Sequence, residues 1–186
     1  MSRIQYINDV NGSFQEAHGS DGRLNVSSRQ DSRGYYNSRD VGQCYALTFD
    51  HPAMVNGEYC VYWKNTSPTK EMVISSIGIN STNLAHFSLK FVTGTAANGT
   101  EVIPQNLNKT SANDADSVSL DDGGGTAISG LTEAGDIDQI LCGVHQHQEF
   151  RLAERVRLGQ NDAIAVKLET GTSAPSAHGV IFAYFE

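Results

Sequence analysis

The chain has 186 residues, enough for one domain with a sizeable core, with eighteen glycines, four prolines and a formal net charge of −8. No apolar run approaches the length that crosses a membrane, and an acidic chain repels phosphate, so neither a membrane nor a nucleic acid is expected as a partner. The first residues, MSRIQYINDVNGSFQEAHG, lack the apolar core of a secretory signal, which predicts synthesis in a cytosol.

Residues 1–44 differ from the rest of the chain. They hold five arginines and five acids and are neutral, whereas 45–186 hold eight basic and sixteen acidic residues and carry the whole −8. Apolar residues are sparse, and a segment such as GRLNVSSRQDSRGYYNSRD cannot build its own core. The sequence predicts an extended N-terminal arm over 1–44. It would dock on a neighbour through Arg23, Arg29, Arg33 and Arg39, with Tyr35 and Tyr36 beside them, because guanidinium forks suit carboxylates and backbone carbonyls.

A β body is predicted over 45–186. Strands are expected over 45–49, 57–64, 72–79 and 85–92, the last with Phe87, Leu89 and Phe91 alternating against Ser88 and Lys90. Residues 93–135 read as a long loop with one short strand near Ile128. Two further runs flank a turn at 159–162: Phe150, Leu152, Val156 and Leu158 before it, and Ile164, Val166 and Leu168 after it. This pattern predicts a hairpin. The closing GVIFAYFE is apolar enough to need a place inside a sheet. No stretch has helical periodicity over three turns. Short strands with Gly, Asn and Asp turns between them predict an all-β sandwich, most simply a jelly roll.

Cys44, Cys60 and Cys142 show no CxxC spacing and read as structural thiols. His145, His147 and Glu149, at i, i+2 and i+4, would share one face of a strand. They are weak candidates for a divalent metal, and partly resemble the metal motif of cupins, but the second cupin motif with its further His is not apparent. No metal, cofactor or catalytic set is therefore expected, and the chain reads as a non-enzyme. Asp114, Asp116, Asp121 and Asp122 read as a solvated acidic loop. Tyr59, Tyr62 and Trp63 could stack on a sugar, although aromatic residues at strand spacing are more often core.

GRLNVSSRQDSRGYYNSRD, YWKNTSPTKEMVISSIGIN, ERVRLGQNDAIAVKLETGT and the closing GVIFAYFE resemble virion structural proteins of tailed bacteriophages. That resemblance implies a capsid decoration or cement protein, a jelly-roll homotrimer whose arm lies on the major capsid protein or another virion protein. It implies a virion location after synthesis in the host bacterial cytoplasm. A neck, tail or glycan-binding receptor component is the alternative, and a cupin-like metal-binding enzyme a more distant one.

Overall fold

The computed structural model describes residues 33–123 and 126–186, and the backbone of 5–7, 14–16, 19–20 and 23–24. The chain divides into two compact units, Met1–Asp31 and Ser32–Glu186. In the first, β1 (Gln5–Ile7) pairs antiparallel with β2 (Phe14–Glu16), and β3 (Gly19–Ser20) with β4 (Arg23–Leu24).

The second unit begins earlier than the expected boundary at 44. A single helical turn, α1 (Arg33–Tyr36), runs into a π turn, Asn37–Val41, ended by Gly42 at φ 66°. The loop carbonyls here are taken by the body: Asn106 Nδ2 donates to the Gly42 carbonyl at 2.8 Å and Asn113 Nδ2 to that of Val41 at 3.2 Å. Phe185 N–H also donates to the Gln43 carbonyl at 3.0 Å. Satisfied carbonyls make this segment part of the sandwich edge even though its composition is polar.

Twelve strands follow: β5 (Cys44–His51), β6 (Tyr59–Asn65), β7 (Met72–Asn80), β8 (Ala85–Ala97), β9 (Thr100–Glu101), β10 (Gln105–Asn106), β11 (Ser117–Asp121), β12 (Ser129–Cys142), β13 (His147–Phe150), β14 (Val156–Leu158), β15 (Ala163–Gly171) and β16 (Ala177–Phe185). They form two antiparallel sheets packed face to face. The first runs β10-β5-β16-β7-β13, with β14 also on β7, and the second β12-β8-β15-β6-β11-β9. The protein is an all-β sandwich.

Alternation explains the core. Tyr45, Leu47 and Phe49 of β5 point inward, as do Ile164, Val166 and Leu168 of β15, and they meet Trp63, Ile77, Phe87 and Ile181. Burying side chains of this size is worth about 1.5–3 kcal/mol each. β15 is apolar on both faces because Ala163 and Ala165 pack outward with Tyr62, Val92 and Ile128 in a second cluster. The apolar C-terminal strand β16 lies inside the first sheet, between β5 and β7, as its composition demands.

Two sequence expectations are corrected. The runs flanking 159–162 do not form a hairpin: β14 pairs with β7 in the first sheet, while β15 pairs with β6 and β8 in the second. The turn crosses the sandwich. Buried Asn65 secures it, donating through Nδ2 to the Leu158 carbonyl and exchanging backbone bonds with Asn161 and Asp162. Period-2 alternation identifies a strand's buried face and leaves its neighbour unspecified. Nor are residues 93–135 one loop. β8 continues to Ala97, β12 begins at Ser129, and β9 to β11 lie between. Most of β12 is exposed on both faces, so it has no apolar alternation to be read.

Candidate functional site

Two of the four arginines singled out from the sequence, Arg33 and Arg39, lie in the second unit. Arg23 lies in β4, and Arg29 lies outside the described residues. Arg33 and Arg39 belong to the body, and both have partners within the chain. The Arg33 guanidinium pairs with Glu186 at 2.6 Å, and Arg39 pairs with Asp40 at 2.5 Å and stands 5.1 Å from the centre of the Tyr35 ring. Arg157 also pairs with Glu186. Burial would raise the Glu186 carboxyl, but the two guanidiniums hold it below its ordinary value. Tyr35 and Tyr36 are 45% and 51% exposed.

His145, His147 and Glu149 are not gathered into a ligand set. His145 sits in the turn before β13 with φ 55°, which breaks the strand alternation that would have aligned it with the other two. All three are exposed. His147 faces Asn80 and Glu149 faces Gly78 across the ladder with β7.

Another group is gathered from distant positions. Among the described residues, His51, Glu58 and Asp122 are the one set of three potential metal ligands whose donor atoms all lie within 4.8 Å of one another. His51 ends β5 of the first sheet, Glu58 precedes β6, and Asp122 follows β11, both in the second sheet. His51 Nε2 is 2.9 Å from Asp122 Oδ2 and 3.7 Å from Glu58 Oε2. His51 is 5% exposed and Asp122 2%. Glu58 Oε2 also accepts from the Val55 N–H at 2.6 Å. Burial pushes the Asp122 carboxyl up, against the opposing pull of His51 and with the help of Glu58 and Asp121. Asp121 and Asp122 are thus buried, not part of a solvated loop. Gly123 permits the close approach of these corners. A Cβ there would stand 2.5 Å from the Asp50 carbonyl oxygen. Only spacing along the chain was available to sequence reasoning, and His51 and Asp122 are seventy-one positions apart.

The outward face of the second sheet holds a different polar group. Lys90 Nζ, buried, contacts Asp136 at 2.6 Å, Glu169 at 2.9 Å and Glu133 at 3.0 Å, and Lys167 reaches Glu133 at 2.5 Å. Glu133 and Asp136 have opposite parity on β12. The register shift at Glu133/Gly135 turns both toward Lys90. Burial alone would lower the Lys90 ammonium, but the three carboxylates raise it above its ordinary value. Lys167 and Lys90 together hold the Glu133 carboxyl down at about 2. Tyr59 donates to Glu133 at 3.4 Å at the rim of this network. Tyr62 is buried on this face, and Trp63 is buried in the core, where Nε1–H donates to Ser117 Oγ at 2.9 Å. The Tyr59, Tyr62 and Trp63 set therefore presents no common stacking surface.

No protein-family model, no curated protein and no solved structure matches the chain. The class that the fold defines is an antiparallel two-sheet β-sandwich, and among the described residues it carries a buried His51 corner and the Lys90 network on the outward face of the second sheet.

Proposed function

We propose that the chain is a non-enzymatic structural protein of a tailed-phage virion, a capsid decoration or cement protein that docks on the major capsid protein or another virion protein. It acts as a homotrimer. The carrying observation is the half-exposed Tyr35–Tyr36 pair. A short helical turn, tied to the body by the Arg33–Glu186 ion pair and followed by a segment whose Val41 and Gln43 carbonyls are hydrogen-bonded into the sandwich edge, holds both rings at the surface. Aromatic rings and arginines presented on a fixed backbone are the residue types that dominate protein–protein contacts. The strand arrangement supports a jelly roll: β5, β16, β7 and β13 of the first sheet face β6, β15, β8 and β12 of the second, with the chain passing between sheets at β5–β6, β6–β7, β7–β8, β12–β13, β14–β15 and β15–β16.

The test is co-sedimentation of purified protein with phage capsids stripped of it. Wild type is expected to co-sediment. The double variant Tyr35→Ser/Tyr36→Ser is expected to lose at least about tenfold in affinity, the cost of truncating hot-spot aromatics. Deleting residues 1–31, which keeps the whole Ser32–Glu186 unit in the chain, tests whether the N-terminal unit adds to the contact. Light scattering is expected to give three times the 20.1 kDa chain mass. Protein that stays in the supernatant as a monomer overturns the reading.

A further inference from the structure

The His51 corner contains two buried polar atoms without hydrogen-bond partners: Asp122 Oδ1 and His51 Nδ1. Leaving a buried acceptor unsatisfied costs about 1–3 kcal/mol. The free Oδ1 gives the Asp122 carboxylate a second acceptor for a cation held by that same group, whereas His51 Nδ1 is not one of the donor atoms that face one another here. The donor set points the same way: one imidazole and two carboxylates converge at a corner where His51 and Asp122 are buried. Carboxylates drawn out of water are stabilised by a bound cation.

The spacing fits a small ion. Donors bound about 2.0–2.2 Å from a tetrahedral zinc stand roughly 3.3 Å apart. The separations here, 2.9 Å from Nε2 to Asp122 Oδ2 and 3.7 Å from Nε2 to Glu58 Oε2, fall on either side of that value. An imidazole among the donors disfavours calcium, which takes six to eight oxygens. One nitrogen and two carboxylate oxygens suit a divalent ion of the zinc type.

We propose that His51, Glu58 and Asp122 bind one zinc ion, which clips the two sheets together at this corner. The ligands come from the end of a strand in the first sheet and from positions flanking two strands of the second. Binding to the folded state alone adds stability in proportion to ligand excess. The role is structural and independent of what the protein docks on.

The test uses full-length protein dialysed against EDTA and then titrated with zinc by calorimetry, with bound metal counted by elemental analysis. One zinc per chain and a melting temperature raised by several degrees are expected. Asp122→Asn, which keeps the side-chain shape, and Glu58→Gln, at a half-buried position, should each weaken zinc binding at least tenfold. His147→Gln on the exposed face of β13 should leave it unchanged. If Asp122→Asn does not fold, as judged by circular dichroism, Glu58→Gln decides. Failure of wild type to retain zinc at stoichiometry overturns the proposal. So does zinc binding that survives both carboxamide variants or is lost in His147→Gln. Calcium raising the melting temperature where zinc does not overturns the assignment of the ion.

Discussion

Two groups of histidine and carboxylate occupy this molecule, and they differ in every respect that matters for chemistry. His145, His147 and Glu149 are neighbours in sequence and stand in solvent, with His145 turned out of line by its left-handed backbone. His51, Glu58 and Asp122 are scattered through the sequence and meet in a corner where His51 and Asp122 are buried and Glu58 is half-buried. Electrostatic interactions are several-fold stronger in the second setting because protein replaces solvent around the charges. Proximity along a strand is therefore a poor guide to a working cluster unless burial accompanies it.

The sharpest test of this contrast is mutational. His51→Ala leaves the buried Asp122 carboxyl without its hydrogen-bond partner and is expected to cost about 3 kcal/mol in chemical denaturation without added metal. Relief by protonation of the raised Asp122 carboxyl limits the loss. A cost below about 0.5 kcal/mol, the ordinary surface value, would erase the distinction between the two groups.

Lys90 offers the next largest effect. Lys90→Ala removes the one ammonium shared by Glu133, Asp136 and Glu169. Glu133 and Asp136 are more than a third exposed, so solvent screens the carboxylates left behind and about 2 kcal/mol is expected. Equilibrium unfolding of the variant in urea measures it.

Acid should act on the same network more gently. The folded Glu133 carboxyl is held at about 2 against an ordinary 4.5, so its contribution is complete above 4.5 and is lost as pH falls toward 2. The expected outcome is a declining melting temperature across that window, with a smaller slope in Lys167→Met, which removes the main cause of the depression. Equal slopes in both proteins would show that Glu133 is not the group responsible.

The smallest effects belong to the exposed triad. His147→Ala and Glu149→Gln should each change stability by less than about 0.5 kcal/mol. A larger loss in either, by the same urea measurement, would mean that β13 takes part in contacts beyond its ladder with β7.

Much of the fold was legible in the sequence. Inward Tyr45, Leu47 and Phe49, Phe87 and Leu89, and Ile164, Val166 and Leu168 declare their strands because one face must be apolar while the next residue need not be. The apolar run closing the chain declares an interior strand for the same reason. Those are local statements about a residue and its immediate neighbours. Strand partnership is not local: the turn at 159–162 crosses between sheets because β7 and β6 present the complementary free edges, and Asn65 supplies bonds from ninety-odd positions away. β12 was invisible because its exposed faces need no apolar pattern. The His51, Glu58 and Asp122 cluster was equally hidden. Sequence determines which side chains want to leave water, but only the tertiary structure decides which charges must leave it together, since desolvation and Coulomb attraction depend on distance through space and not along the chain.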